Sequence, residues 1–341
     1  MRIAMLAPIA WRTPPRAYGP WELVTSMLTE ALVERGVDVT LFATLDSQTA
    51  AKLDGVVPAP YEEDATIDAK VWEYRHLSHL FAQADQFDLI HNQADFPAHA
   101  FAPLVDTPIV TTIHGFGSDR ILPMYLPFGD RVHYVAISDA DRHPALSYAA
   151  TIHHGVPVED FPFNADGADS LIFFGRIHPD KGAAEAIAAA QASGRALDLY
   201  GVIQDRDYYE RKVLPHLSAT IRYHGAVGGE QRVRTLGHAR ALLHLINFDE
   251  PFGLSVIEAM ACGTPVIANR RGSMAELVEH GVTGFLVDSF DEAVSAVGRS
   301  ADIDRRACRR SVSERFSIDG MADRYIELYR SIIEGPKLTS P

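Results

Sequence analysis

Short apolar runs alternate with helical patterns along the whole 341-residue sequence, and this rhythm constrains the fold more than any other feature. The runs of the first half are RIAMLAP, DVTLFAT, FDLIHN, PIVTTIHG and HYVAIS, and those of the second half are SLIFFGR, ALDLYGV, TIRYHG, ALLHLIN, TPVIAN and GFLVD. Strands of a parallel sheet that is covered by helices on both faces read as near-continuous apolar runs. The pattern therefore predicts parallel α/β folding.

Residues 153–170 separate the two halves and are rich in Pro, Gly and Asp without any period, which is typical of a linker. The chain is longer than a single core usually fills, so we expect two domains, each a Rossmann-like, doubly wound parallel sheet. In such sheets ligands bind beyond the carboxyl ends of the strands. We therefore expect the functional residues just after the apolar runs, facing a central cleft between the domains.

The net charge of the sequence limits the partners that we expect, and its cysteine content indicates the compartment. A formal net charge of −14 and a pI near 5.5 disfavour nucleic acid and anionic membranes as partners and favour a small soluble molecule. The two cysteines, Cys262 and Cys308, lack zinc-like spacing and indicate a reduced, cytoplasmic setting. The apolar opening of the chain is too short for a membrane span, so we expect no integral membrane association. Nothing in the sequence predicts the oligomeric state.

The segment NFDEPFGLSVIEAMACGTPVIA carries two glutamates eight residues apart. Pro251 and Gly253 prevent one helix from spanning both, so Glu250 belongs to a loop and Glu258 to the following helix. The two carboxylates can then face one ligand from two directions. Alternatively, Ser255 and Glu258 form an S-x-x-E capping box, which would make Glu258 a helix-start residue. The spacing alone does not choose between these interpretations.

The segment FFGRIHPDKGAAEAIAAAQASG places two cations near a helix start. Arg176 ends an apolar run, and Lys181 and Gly182 open an Ala-rich helix. Two cations and a helix N-terminus together suit a diphosphate. The alternative is that Arg176 and Lys181 pair with Asp180 at the surface.

Polar side chains follow two runs of the first half. His114 ends TTIHG, where it could donate a hydrogen bond to a sugar hydroxyl or stabilise developing charge. The other run is followed by polar residues suited to hydrogen bonding a polyol, namely Asn92, Gln93 and Asp95.

The segment TPPRAYGPWELV lies between the first apolar run and a helical pattern. A strand, a turn with Gly19 and a helix start resemble a phosphate-binding loop, but Pro20 has no N–H to donate. The sequence leaves open whether this is a phosphate loop, a phosphate loop that the proline impairs, or only a tight turn.

Two D-x-D triplets raise a metal-dependent nucleotide-sugar site as a rival. Ser138 with Asp141 also forms S-x-x-D at a helix start, which would account for the triplet that begins at Asp139. The triplet of Asp205 and Asp207 is typical of a charged helix face. No G-x-S-x-G, Walker loop or H-E-x-x-H motif is present.

Taken together, these segments resemble the retaining glycosyltransferases of family 4, which have the GT-B fold. The resemblance runs through nearly the whole chain and is carried by YGPWE, TTIHG, HHGVPVEDF, GRIHPDKG, HGAVGGEQ, EPFGLSVIEAMACGTPVIA and RFSIDGMADRYIELYRS. It implies an N-terminal acceptor domain over 1–158, a donor domain over 159–317, and a final helix in 318–341 that crosses back to the N-terminal domain. It also favours ligand binding for the two glutamates.

The likeness implies a role for each matched position. Arg176 and Lys181 would hold the donor diphosphate, and Glu258 the ribose hydroxyls. Glu250 would contact the donor sugar near its reacting carbon, and His114 the hydroxyls of that sugar. The remaining donor-binding positions would be Gly19, Val227, Phe252, Gly253 and Leu254, and the acceptor-binding positions Tyr18, Trp21, Glu22, Asn92, Gln93 and Asp95.

Family members commonly have Tyr-Gly-Gly and then a glutamate where this chain has Pro20 as the second glycine. We interpret the loop as a stiffened wall of the donor and acceptor sites.

The implied reaction moves a hexose, by default from UDP-glucose, to a hydroxyl of a small soluble acceptor with retention and without a metal or other cofactor. Arg176, Lys181 and helix N-termini would stabilise the leaving diphosphate. Retention would proceed through a covalent carboxylate intermediate or through attack from the leaving-group face. The alternatives are a GDP-mannose-dependent transferase, a retaining phosphorylase on the same fold, and a non-catalytic nucleotide-sugar-binding protein.

Overall fold

The first seven strands form one parallel sheet. In the computed structural model, which describes residues 1–115 and 118–335, their order is β3-β2-β1-β4-β5-β6-β7. The strands are β1 (Arg2–Leu6), β2 (Asp38–Thr44), β3 (Lys52–Val57), β4 (Leu89–Asn92), β5 (Ile109–Ile113), β6 (Val132–Ala136) and β7 (Tyr148–Thr151). Ile3 of β1 pairs with Val39 on one side and with Leu89 on the other. The chain thus winds outward from β1 in both directions, as in a doubly wound sheet.

The remaining six strands form a second parallel sheet in the order β10-β9-β8-β11-β12-β13. They are β8 (Leu171–Phe174), β9 (Leu197–Tyr200), β10 (Ile221–Tyr223), β11 (Leu242–His244), β12 (Val266–Asn269) and β13 (Gly284–Val287). The direction of winding reverses between β8 and β11, so their carboxyl ends form the switch point of this sheet.

Ten α-helices accompany the strands in the described residues, together with short 3₁₀ segments and one π-helical turn at Tyr209–Val213. They are α1 (Pro20–Glu34), α2 (Ala69–Phe81), α3 (Ala183–Ala192), α4 (Arg206–Tyr208), α5 (Gly229–His238), α6 (Leu254–Ala261), α7 (Met274–Leu277), α8 (Phe290–Arg299), α9 (Arg305–Arg315) and α10 (Ile318–Glu334).

Each sheet is the centre of a separate compact unit. Residues 156–317 form one unit, and residues 1–155 together with the segment that begins at Ile318 form the other. The division between Gly155 and Val156 lies within the Pro- and Gly-rich segment 153–170. The central strands are buried on both faces, and Ile3, Leu41 and Leu242 are fully buried examples. The predicted fold class, two Rossmann-like doubly wound parallel sheets, is confirmed.

Helix α10 belongs to the first unit although it follows the whole second unit in sequence. Its buried side chains recur at helical spacing and are Met321, Ala322, Tyr325, Ile326 and Tyr329. At its first turns, Asp319 and Asp323 accept hydrogen bonds from the Arg35 guanidinium at 2.6 and 2.7 Å. Arg35 follows α1, so these bonds connect the start of α10 to the end of α1.

The loop after β1 ends at Gly19, whose φ of +144° is unfavourable for other residues. A Cβ at this position would lie 2.9 Å from Cβ of Pro15. Pro20 is the first residue of α1, where the N–H that proline lacks would have no partner within the helix. The backbone of this segment is therefore a tight turn that leads directly into α1.

Candidate active site

The carboxyl end of β8 leads into the segment that carries Arg176 and Lys181. The Arg176 guanidinium is partly exposed and donates to Oε1 of Gln204. The predicted alternative, in which Asp180 holds the two cations, is wrong, because Oδ2 of Asp180 lies 3.2 Å from Nδ1 of His178 and Lys181 pairs elsewhere.

Gly182 caps the N-terminus of α3 with a φ of +75°. A Cβ here would lie 1.9 Å from the carbonyl oxygen of Leu245, which follows β11. Only a glycine permits this close approach, which brings the start of α3 next to the end of β11.

Glu250 and Lys181 form a buried ion pair at this edge of the second sheet. Nζ of Lys181 donates to Oε2 of Glu250 at 2.5 Å, and the two side chains are 15% and 11% exposed. Nε2 of His244, the last residue of β11, lies 3.4 Å from the same oxygen. The Lys181 ammonium also lies 4.6 Å from the centre of the Phe248 ring, within the range of a cation–π contact.

These neighbours decide the charge of Glu250. Burial favours the neutral carboxyl, but His244 and Lys181 outweigh burial and lower the pKa of Glu250 to about 2. Glu250 is therefore an ionised carboxylate at neutral pH.

Glu258 lies in α6 and is 2% exposed. Nε of Arg232 donates to Oε2 of Glu258 at 2.9 Å, and an Nη2–H of the same guanidinium donates to that oxygen too. The guanidinium also lies over the Phe174 ring, 5.0 Å from its centre. Burial raises the pKa of Glu258, and Arg232 opposes this shift only in part.

The capping-box alternative for Glu258 is wrong. Helix α6 begins at Leu254 after Gly253, so Ser255 lies within the first turn and cannot be the capping residue. Gly253 has a φ of +97°, a conformation that glycine adopts without a steric penalty. Phe252 is buried, and its carbonyl oxygen accepts a hydrogen bond from Oγ of Ser273 at 2.6 Å. The turn at Phe252, Gly253 and Leu254 thus has a defined conformation at the N-terminus of α6.

Val227, one of the predicted donor-binding positions, is also buried and precedes α5, the helix that carries Arg232.

In the first unit His114 follows β5 and is 9% exposed. Its Nε2 lies 2.6 Å from Oε1 of Gln93, and the Trp21 ring stacks on it at 5.2 Å between ring centres and 19° between planes. The His154 ring lies at 5.2 Å with a tilt of 35°. Burial lowers the pKa of His114 to about 3, so the imidazole is neutral at physiological pH.

Glu22 and Tyr18 lie at the two sides of the Gly19 turn. Oε1 of Glu22 accepts a hydrogen bond from the Trp11 backbone N–H at 3.1 Å, and burial raises the pKa of Glu22 to about 7. The Tyr18 and Trp11 rings meet edge to face at 6.0 Å.

The other predicted acceptor residues are largely saturated by protein groups. Nδ2 of Asn92 donates to Oγ1 of Thr111 at 3.1 Å and to the carbonyl of Asp95 at 2.7 Å. Asp95 accepts from the Tyr125 hydroxyl, and burial raises the pKa of its carboxyl. Asn92 and Gln93 are fully buried. Their contact with an acceptor stays a prediction, and this burial gives it no support.

The two D-x-D triplets have structural partners. Asp205 caps α4 by accepting from the Tyr208 N–H, and Asp207 pairs with Arg211 at 2.8 Å on an exposed helix face, as predicted. The Asp141 N–H donates to Oγ of Ser138 at 3.1 Å, but this bond closes a turn and not the predicted helix start. Within residues 1–115 and 118–335 no group of three His, Cys, Asp or Glu side chains is arranged to hold a metal ion.

Two residues of the site were missed by sequence reasoning. His244 ends the run ALLHLIN, and the rule that ligands lie at strand ends could have identified it. Arg232 gave no signal, because its pairing with Glu258 joins residues 26 positions apart on two different helices.

Two family models match adjacent parts of the chain. The model of Glycosyltransferase Family 4 matches residues 22–160, and that of Glycosyl transferases group 1 matches residues 159–303. The chain belongs to the family 4 glycosyltransferases. The predicted family, GT-B fold and enzyme class are thereby confirmed.

Relatives of this glycosyltransferase extend over its whole length. It is 24% identical to glycogen synthase of Mycobacterium tuberculosis, across 100% of this chain and 97% of the relative. It is 32% identical to D-inositol 3-phosphate glycosyltransferase of Rhodococcus opacus, across 75% of this chain and 61% of the relative.

Among solved structures, AviGT4, a glycosyltransferase involved in avilamycin A biosynthesis, aligns with a TM-score of 0.76 at 25% identity and covers 98% of each chain. No helix within the described residues of the glycosyltransferase has the length and apolar character needed to span a membrane.

Proposed function

We propose that this glycosyltransferase transfers a hexose from a nucleotide diphosphate sugar to a hydroxyl of a small soluble acceptor, with retention and without a metal. The observation that carries the proposal is the buried pair of Lys181 and Glu250 at the switch point of the second sheet. A cation and an ionised carboxylate, 2.5 Å apart, meet the needs of the two ends of a breaking glycosyl–phosphate bond.

The leaving diphosphate gains negative charge as the bond breaks. The Lys181 ammonium, the partly exposed guanidinium of Arg176 and the N-termini of α3 and α6 are the positive groups available to stabilise this charge. These groups supply the stabilisation that a metal ion provides in other enzymes.

The sugar carbon gains positive charge at the same time. Because the pKa of Glu250 is lowered to about 2, its carboxylate stays ionised and can stabilise an oxocarbenium-like centre. Both retaining routes remain consistent with this role. In one, Glu250 forms a covalent intermediate, and in the other the acceptor attacks from the leaving-group face while a donor phosphate oxygen takes its proton.

UDP-glucose is the proposed donor, with GDP-mannose next, and the names of two relatives support an acceptor that bears several hydroxyls. Those relatives are the glycogen synthase and the D-inositol 3-phosphate glycosyltransferase. We further propose a reduced, cytoplasmic setting, which the two buried free thiols of Cys262 and Cys308 support.

A thermal-shift panel of UDP, GDP and ADP with their glucose and mannose conjugates, each with and without EDTA, tests the donor. A ligand at about 100 times its dissociation constant adds about 2.7 kcal/mol of stability, so the cognate nucleotide should raise Tm clearly and EDTA should not change the shift. Binding of no nucleoside diphosphate would refute the proposal.

The anomeric configuration of the product, measured by NMR, tests retention, and an inverted product would contradict it. A phosphorylase would instead release sugar phosphate in a phosphate-dependent reaction without nucleotide. A non-catalytic binding protein would bind the nucleotide sugar without any turnover.

A further inference from the structure

A row of hydrogen-bonded, buried side chains in the first unit connects α10 to His114. The Tyr329 hydroxyl lies 2.5 Å from Nδ1 of His91, and Nε2 of His91 lies 3.1 Å from Nε2 of Gln93. Oε1 of Gln93 then lies 2.6 Å from Nε2 of His114. Tyr329, His91 and Gln93 are fully buried. We call these four side chains the Tyr329–His114 chain.

In the orientation that the Gln93 amide has here, its oxygen and its nitrogen determine where the protons lie along this chain. The carbonyl oxygen of Gln93 can only accept, so the hydrogen of the His114 ring is on Nε2. The amide nitrogen of Gln93 can only donate, so Nε2 of His91 has no hydrogen and Nδ1 of His91 donates to the Tyr329 hydroxyl. Burial lowers the pKa of both rings to about 3 and keeps them in these neutral forms.

This assignment leaves Nδ1 of His114 as a bare lone pair. Among the described residues, Nδ1 is buried without a hydrogen-bond partner. The stacked Trp21 ring and the tilted His154 ring restrict reorientation of the imidazole. A buried acceptor without a partner is costly, so the site favours a ligand that brings an O–H or N–H to this atom.

We propose that Gln93 is a positioning residue that fixes the Nε2-protonated tautomer of His114, so that Nδ1 accepts a hydrogen bond from one hydroxyl of the donor sugar. His91 and Tyr329 hold the Gln93 amide in the required orientation. This inference rests on the proposed function, in which His114 contacts the hydroxyls of the donor sugar. It assigns His114 a hydrogen bond that it accepts, and it makes Gln93 a determinant of which donor is used.

The tautomer can be measured without any substrate. In protein with ¹⁵N-labelled histidine, we expect the His114 resonances, identified by their loss in His114→Asn, to show a protonated Nε2 and an unprotonated Nδ1. In Gln93→Leu, the chemical shifts of both His114 ring nitrogens should move toward those of a mixture of the two neutral tautomers. The resonances of His99 provide the internal reference. The His99 ring forms hydrogen bonds with the Met124 carbonyl and the Thr111 hydroxyl and is not part of the Tyr329–His114 chain. An Nδ1-protonated His114 in the native protein, or unchanged resonances in Gln93→Leu, would overturn the assignment.

Kinetics test the consequence for catalysis. Loss of one hydrogen bond to a buried acceptor should lower kcat/KM for the donor about tenfold in Gln93→Leu. In the His114→Asn background the same substitution should cost less than about twofold, because an asparagine amide needs no tautomer. An equal loss in both backgrounds would show that Gln93 does not act through His114.

Donors that lack one hydroxyl at a time identify the bonded group. The native enzyme should lose about tenfold in kcat/KM with one of them, and Gln93→Leu should discriminate against that same donor less than about twofold. Equal discrimination by both enzymes would contradict the role of Gln93.

Two conservative variants test the Tyr329 end of the Tyr329–His114 chain. Tyr329→Phe should move the His114 resonances in the same direction as Gln93→Leu. Tyr134→Phe removes a comparable buried bond, from the Tyr134 hydroxyl to the carbonyl of Tyr125 at 2.7 Å, and should leave them in place. Equal effects of the two variants on the His114 resonances would contradict a role of Tyr329 in the Tyr329–His114 chain. If native protein turned over no nucleotide sugar, the proposed function would fail while the NMR result still decided the tautomer.

Discussion

At the scale of single residues, the buried carboxylates of Glu250 and Glu258 in the second unit differ in their neighbours and in the direction of their pKa shifts. Glu250 has two nitrogen neighbours, Lys181 and His244, and its pKa is lowered. Glu258 has one, Arg232, and its pKa is raised because burial exceeds the attraction. One oxygen of Glu258 receives both N–H groups of Arg232. Glu250 is therefore held in its ionised form by Lys181 and His244. The ionised form of Glu258 depends on its pairing with Arg232.

Glu250→Gln should lower kcat by more than about 100-fold, because the variant removes a preorganised charge at the proposed reacting centre. Steady-state assays with the cognate donor measure this loss. Asp249→Asn is the matched control, since Asp249 is the adjacent carboxylate and pairs with Arg271 at 3.3 Å on the surface. The control should stay within about twofold of the native rate. An active Glu250→Gln variant would contradict the assigned role.

Arg232→Met should lower the free energy of unfolding by roughly 3 to 5 kcal/mol, because Glu258 would remain buried without its partner. Urea denaturation measures the effect. Arg234→Met, an exposed arginine on the same helix, should change stability by less than about 0.5 kcal/mol. Glu258→Gln added to Arg232→Met should restore part of the loss. Equal stability of the two arginine variants would disprove the dependence on Arg232.

At the scale of secondary-structure elements, glycines with positive φ precede three helices at the predicted site, namely α1, α3 and α6. Gly182 permits α3 to begin against the chain after β11, and Gly19 permits α1 to begin directly after a tight turn. In both cases the backbone, more than any side chain, decides where the helix N-terminus lies.

Gly182→Ala should destabilise the protein by more than about 2 kcal/mol, since a left-handed alanine costs about 1 to 2 kcal/mol and its Cβ would also meet the Leu245 oxygen. Gly194→Ala is the matched control, because Gly194 has a φ of +66° with open space around it. The control should show only the cost of the left-handed conformation. Thermal unfolding of both variants measures the difference, and equal Tm values would contradict the steric argument.

Pro20→Gly should loosen the start of α1 and lower stability by about 1 kcal/mol through the greater freedom of the unfolded chain. We expect an altered acceptor profile at similar nucleotide affinity, measured with an acceptor panel and by nucleotide titration. A large gain in nucleotide affinity would instead indicate that the loop is a phosphate cradle that the proline impairs.

The ionisable groups of the whole molecule make its two units differ in their response to acid. Burial lowers the pKa of four histidines to about 3 or 4, and all four, His76, His91, His99 and His114, lie in the first unit. Each binds a proton when unfolded, at an ordinary pKa near 6.5, and not when folded. Their contribution is present above about pH 6.5 and is lost as pH falls toward the folded values.

Glu250 in the second unit contributes in the same direction at lower pH. Its stabilisation is present above the unfolded pKa near 4.3 and is lost as pH falls toward about 2. Glu22 in the first unit acts in the opposite direction. Its folded pKa of about 7 makes stability fall as pH rises from about 4 to 7.

On acidification below about pH 6, the first unit should therefore unfold before the second. Each of the four histidines changes the free energy of unfolding by about 1.4 kcal/mol per pH unit, so together they outweigh Glu22. The three tryptophans, Trp11, Trp21 and Trp72, all lie in the first unit, so their fluorescence reports on that unit alone. We expect the fluorescence transition at higher pH than the final loss of far-UV circular dichroism. Coincident transitions would contradict this order.

Burial explains which elements the sequence could predict. The central strands are buried on both faces, so their apolar runs identify them. The first sheet's edge strands, β3 with sequence KLDGVV and β7 with YAAT, are half-exposed and gave no apolar run. Arg176, Lys181, Glu250 and Glu258 were identified because local motifs contain them. Sequence motifs did not identify the contacts of Arg232, His91 and Tyr329, because each contact joins elements that are far apart in sequence.

The place of α10 has a consequence for the order of events during synthesis. The Tyr329 hydroxyl reaches His91 only after the ribosome has made the 162 residues of the intervening unit, Val156–Ser317. At typical elongation rates this delay is on the order of ten seconds or more. Because domains generally fold in order from the N-terminus during synthesis, we expect the N-terminal sheet to form before α10 has been made. Until α10 has been made, the hydrogen bond between His91 and the Tyr329 hydroxyl cannot form, so we expect the Tyr329–His114 chain to be completed only at the end of synthesis.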